Sequence, residues 1–139
     1  MIDFKRHIVS LFVFILVGSA FAADKDGLVF NDTIHDFGEI SVQSGYNTCQ
    51  FDFVNTSDST IFILGALSSC NCTTVDYPRE AIKPGKGGVI RITYDTVGRP
   101  PGPFDRTVLL ILSGERPPVR LRYRGTATAA PSLNILPPF

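Results

Sequence analysis

Residues 46–55, YNTCQFDFVN, decide the fold of this chain. The apolar side chains fall on every second position, with Cys49, Phe51 and Phe53 on one face and Gln50, Asp52 and Val54 on the other. A strand turns successive side chains to opposite faces, so this period sends a phenylalanine face inward and leaves a mostly polar face in water.

The flanking sequence repeats the theme, apolar runs of strand length separated by turn signals. Residues 28–30 (LVF) before Asn31-Asp32, and 33–37 (TIHDF) before Gly38, read as short edge strands. Residues 55–60 (NTSDST) form a polar turn, and 61–67 (IFILGAL), apolar on both faces, read as a central strand. Pro84-Gly85 supplies the two inner positions of a type II turn, because proline presets φ and glycine accepts a positive one. Val89, Ile90, Ile92 and Tyr94 then make a strand ending at Asp95. The breaker-rich stretch 98–103 (GRPPGP) reads as a connecting loop, 107–112 (TVLLIL) as a buried strand, 114–118 as a turn and 119–126 (VRLRYRGT) as a final alternating strand. About seven strands at such intervals, with no helical period after the first 22 residues, predict an all-β, immunoglobulin-like sandwich with Greek-key connections.

Composition agrees with that class. A chain of 139 residues with 44% hydrophobic content supplies one core, and 12 glycines with 10 prolines favour strands and turns. Thirteen basic against 13 acidic side chains give no pull toward nucleic acid or an anionic membrane surface.

The N-terminus sets the expected compartment. Lys5, Arg6 and His7 precede an apolar run over 8–17, and Gly18-Ser19-Ala20-Phe21-Ala22 ends in a small-x-small site. This is the pattern of a secretory signal peptide over 1–22, too short in its apolar part for a membrane anchor. The expected organisation is then a linker over 23–27, the sandwich over 28–128 and a proline-containing tail over 129–139. The mature protein would be periplasmic, secreted or held at the cell surface, with no membrane insertion after cleavage.

Chemistry-bearing residues are few. His35 is the one histidine after the signal, and Asp36 beside it points to the opposite strand face, so the pair makes no catalytic couple. Nucleophile-elbow, phosphate-loop and zinc-protease motifs are missing, and no enzyme is expected. Cys70-Asn71-Cys72 is the most distinctive motif. In an extended segment its α-carbons would stand about 6.6 Å apart with parallel side chains, so a Cys70–Cys72 bridge needs a local bend. Alternatively one of the two pairs with Cys49, or Cys70 and Cys72 bind Cu(I), a soft ion content with few thiolates. Arg120, Arg122 and Arg124 alternate with Leu121 and Tyr123 and form a candidate binding surface on the outer face of the last strand, suited to an anionic glycan or an acidic protein. The plainer reading of that row is a charged guard against sheet-to-sheet aggregation.

Taken in order, HDFGEI (35–40), FDFVNTS (51–57), SSCNCTT (68–74), IKPGKGGVIRITYDT (82–96), GRPPGPFDRTV (98–108) and LRYRGT (121–126) resemble the bacterial family called Domain of Unknown Function 1573. That family is common in exported proteins of the Bacteroidetes and related to the ASH, major-sperm-protein and PapD-like immunoglobulin folds. Members often have glycine between the two cysteines, where this chain has Asn71, and they usually lack a cysteine at the position of Cys49. The resemblance implies a fold and an exported location, and no activity or cofactor. The function expected is a non-catalytic binding or scaffolding module for a protein or surface glycan; the rival is a periplasmic copper-binding protein using Cys70 and Cys72.

Overall fold

The computed structural model describes residues 27–129. The expected signal peptide, all but the last residue of the 23–27 linker and all but the first residue of the tail lie outside the described residues. Eight strands follow one another: β1 (Leu28–Phe30), β2 (Ile34–Ser41), β3 (Tyr46–Asn55), β4 (Ile63–Ser68), β5 (Thr73–Asp76), β6 (Gly87–Asp95), β7 (Gly102–Leu112) and β8 (Val119–Thr128). They build two four-stranded sheets, ordered β1-β3-β6-β5 and β2-β8-β7-β4. Pairing is antiparallel except between β2 and β8, which run parallel.

The alternation of β3 is realised as read: Cys49, Phe51 and Phe53 are buried while Gln50, Asp52 and Val54 face out. Beside them in the same sheet lie Ile90, Ile92 and Tyr94 of β6, and from the other sheet Val108, Leu110 and Leu112 of β7 and Leu121 and Tyr123 of β8 close the core. Each such side chain contributes on the order of 1.5–3 kcal/mol by leaving water, which makes the register of these strands costly to slip. The predicted turn is closed by a hydrogen bond from Lys86 N–H to the Lys83 carbonyl, with Gly85 at φ 76°. Asn55, fully buried, is satisfied by the Ser59 and Ile82 carbonyls and by the Ser57 N–H and hydroxyl, and so holds the 55–60 turn to the 82–86 segment.

Four expectations are corrected. Gly38 does not end β2: it sits at φ 63° in a bulge between Asp36 and Glu39, and the strand resumes as far as Ser41. The run read as central is an edge, since among the described residues β4 is hydrogen-bonded on one side only, to β7. The 98–103 stretch is not all loop, because β7 starts at Gly102 and Pro103 pairs with Thr126. Proline is tolerated there because β4 covers β7 only from Val108 onward, leaving the start of β7 open on that side. Finally, Thr73–Asp76 adds an eighth strand at the edge of the other sheet.

Candidate functional site

Cys70 and Cys72 occupy the passage from β4, at the rim of one sheet, to β5, at the rim of the other. The chain turns over residues 69–72, the Thr73 N–H donates to the Cys70 carbonyl, and the two α-carbons come to 5.1 Å. Cys70 and Cys72 are joined as a disulfide. The bend required for such a bridge is therefore present, held by Ser68, whose hydroxyl donates to the Cys70 carbonyl and accepts from the Cys70 N–H. In this form neither sulfur is a thiolate, and copper would first need the bridge reduced. Cys49 is buried and free on β3, with β6 lying between it and β5. Burial pushes its thiol up to about 11, so it is inert as a nucleophile at neutral pH.

His35 lies on β2 with its ring edge-on to Phe37 at 4.5 Å. Asp36 faces outward, where its carboxylate accepts from the Gly38 N–H and from Arg124. Both contacts, the Gly38 N–H first, hold that carboxyl below the usual range. Histidine and acid thus serve separate neighbours. Among the described residues no cluster of three or more His, Cys, Asp or Glu side chains could hold a metal ion, and no helix is long and apolar enough to cross a membrane.

The arginine row does lie on the outer face of β8, but it is not three free cations. Arg122 grips Asp105 of β7 with Nε and Nη2, and Arg124 bonds Asp36 of β2 at 3.0 Å. The Arg122 guanidinium holds Asp105 below the ordinary carboxylate range, and Asp105 raises Arg122 in return. These pairs stitch three neighbouring strands across their outer face, beside a shallow groove of about 710 Å³ lined by Asp36, Glu39, Asp105 and Arg124 among others. Arg120 joins none of the salt bridges formed among the described residues.

The residues that sequence reasoning passed over lie beside Arg120. It stands opposite Leu109, which stands opposite Leu67 of β4. Leu67 is 60% exposed and Leu64 63%, on a strand whose sequence, ILGALS, has no charge and no proline. Edge strands ordinarily carry such guards against pairing with another chain. Phe62, just before β4, is also exposed. The sequence carries this signal as apolar residues on both faces of 61–67, a pattern that double-sided burial fits equally well.

Comparison with known proteins agrees with this architecture. Residues 28–127 match a family model described as "Protein of unknown function (DUF1573)". No curated protein matches the chain. Among solved structures, a protein of unknown function from Porphyromonas gingivalis W83 superposes with TM-score 0.60 at 15% identity, over 73% of this chain and 46% of that one. The seventh PapD-like (ASH) domain of human CEP192 gives TM-score 0.60 at 8% identity, over 77% of this chain and 89% of that one. The periplasmic chaperone SfaE gives 0.52 at 15% identity, over 81% of this chain and 61% of that one. This chain thus spans less than two thirds of the Porphyromonas protein and of the chaperone, and at these identities the likeness is one of fold.

Proposed function

The chain belongs to the family described as Protein of unknown function (DUF1573), and from that premise we propose that it is an exported, non-catalytic module that holds an extended apolar segment of another protein against the free edge of β4. One observation carries the reading: β4, hydrogen-bonded among the described strands only to β7, exposes Leu64 and Leu67 where an edge strand is normally charged or broken. Strand addition draws affinity from main-chain hydrogen bonds along an unpaired edge and specificity from alternate side chains. Leu67 and Leu109 offer an apolar contact to those side chains, and Arg120 at its border favours a partner with an acidic residue flanking the apolar ones.

Export is supported by the charged, apolar and small-residue order of residues 1–22. It is also supported by a fold shared with a periplasmic chaperone. A binding rather than catalytic role is supported by the separate engagement of His35 with Phe37 and of Asp36 with Arg124.

Site-specific photo-crosslinking in the producing cell tests the proposal. A photoreactive residue at Leu67 should give a discrete adduct with another protein, and one at Val54, exposed on the far sheet, should not. Adding Leu64→Lys to the Leu67 probe should abolish the adduct. Equal labelling at both positions, or none at Leu67, would refute strand addition at β4.

A further inference from the structure

A second feature stands apart from the β4 edge. The loop between β6 and β7 and the first residues of β7 form a partly open cavity of about 250 Å³, lined by Pro100, Pro101 and Pro103, by Tyr94 and Phe104, and by Arg99 and Arg106. We infer that this cavity is a binding site for a small oxyanion, a carboxylate or a phosphate group, received between the guanidinium groups of Arg99 and Arg106.

Two donors beside the cavity are left unsatisfied. The Nε atoms of Arg99 and Arg106 are buried from solvent and have no hydrogen-bond partner among the described residues. A buried N–H left unpaired costs free energy, and each such group in a folded protein calls for an explanation. Neither arginine forms a salt bridge with a described carboxylate. Asp105 feels the charge of Arg106 but is held by Arg122.

The two side chains are also positioned rather than loose. Arg99 Nη2 donates to Asn71 Oδ1 at 3.1 Å, and Arg106 Nη1 donates to the Asp105 carbonyl at 3.1 Å. Each therefore has one end tied and an Nε–H still to be satisfied. A guanidinium receives an oxyanion through paired N–H groups, and this protein contains that geometry already, in the grip of Arg122 on Asp105. The surroundings suit the role. Prolines bring no N–H of their own, the Tyr94 and Phe104 rings pack at 4.6 Å, and a site partly withdrawn from water strengthens the attraction between a cation and an incoming anion.

This placement gives the Cys70-Asn71-Cys72 turn a task. The bridge fixes the short turn that presents Asn71, and Asn71 fixes Arg99. The disulfide acts here as a positioning element, without touching the anion.

Calorimetric titration of the purified protein at low ionic strength, with inorganic phosphate in one arm and N-acetylaspartate amide in the other, tests the inference. Saturable binding is expected in at least one arm, weakened about tenfold or more in Arg99→Gln and in Arg106→Gln, and unchanged in Lys83→Gln, an exposed residue of the turn before β6. Binding of phosphate alone would identify a phosphorylated ligand, and binding of the aspartate derivative an acidic side chain of a protein. Asn71→Ala, which frees Arg99 from its anchor without touching the core, should give an intermediate loss even if a glutamine variant fails to fold. The absence of saturable binding in both arms, or binding that the substituted proteins retain in full, would overturn the site. That failure would leave strand addition at β4 untouched, since the two features share no residue.

Discussion

The Thr73 hydroxyl lies 2.6 Å from the phenol oxygen of Tyr123, a hydrogen bond that ties β5, on the rim of one sheet, to β8, inside the other. Tyr123 is fully buried, its ring packs against Phe37, Tyr94 and Phe104, and burial raises its phenol above the ordinary range. Tyr123→Phe keeps the packing and loses the bond, so it should cost about 1 kcal/mol in urea unfolding. Tyr123→Ala also opens a cavity and should cost about 3–5 kcal/mol. Equal costs for the two would show that the hydroxyl, and not the ring, carries the contribution.

Gly125 is predicted to resist even a methyl group. A Cβ there would come within 2.7 Å of the Gly38 carbonyl oxygen and 2.7 Å of the Phe104 ring. The first is backbone, held by the parallel pairing of β2 with β8, and cannot yield cheaply. Gly125→Ala should therefore lower stability by roughly 1–3 kcal/mol, while Gly27→Ala, with open space around it, should leave the denaturant midpoint nearly unchanged.

Acid unfolding should run through the outer carboxylates. Asp36 and Asp105 have folded pKa values below their unfolded ones, Asp36 through the Gly38 N–H and Arg124, Asp105 through Arg122. Their contribution is present above the unfolded carboxylate range and is lost as pH falls through the folded values. Asp105→Asn should thus flatten the decline in stability on acidification below about pH 4, and the effect should shrink in high salt because the pairs are exposed.

At the alkaline end the sign reverses. Burial disfavours the thiolate and pushes the Cys49 thiol up to about 11 in the folded protein, above the ordinary cysteine range. Its contribution is intact below the unfolded value and fades as pH rises toward the folded one. Cys49→Ala should give a stability profile flatter over that window, and iodoacetamide should label Cys49 in the native protein only at the rate of unfolding, as read by mass spectrometry.

The sandwich was legible because its inner strands obey a simple period. In β3 the Phe51 and Phe53 alternation leaves one face for the core, and in β8 Leu121 and Tyr123 do the same between arginines. β5 escaped notice because TTVD has one apolar residue and no room for a period. The start of β7 was obscured by Gly102 and Pro103, whose breaker character yields to the pairing with Ala127 and Thr126. The candidate sites were harder to read for the same physical reason. Apolar residues on both faces of 61–67 fit a doubly covered strand or a sticky edge equally, and only the sheet order separates them. Arg106 shares the inward parity of Phe104 and Val108, but that parity means nothing until the strand is known to begin at Gly102.

Amide hydrogen exchange along β4 tests strand addition most directly. With a short acetylated peptide of alternating leucine and serine, flanked by glutamates, exchange should slow for outward-pointing amides within Ile63–Ser68 and change little along β1 and β2, the opposite rims of the two sheets. Protection confined to β1 or β2, or no protection in β4 at saturating peptide, would contradict it.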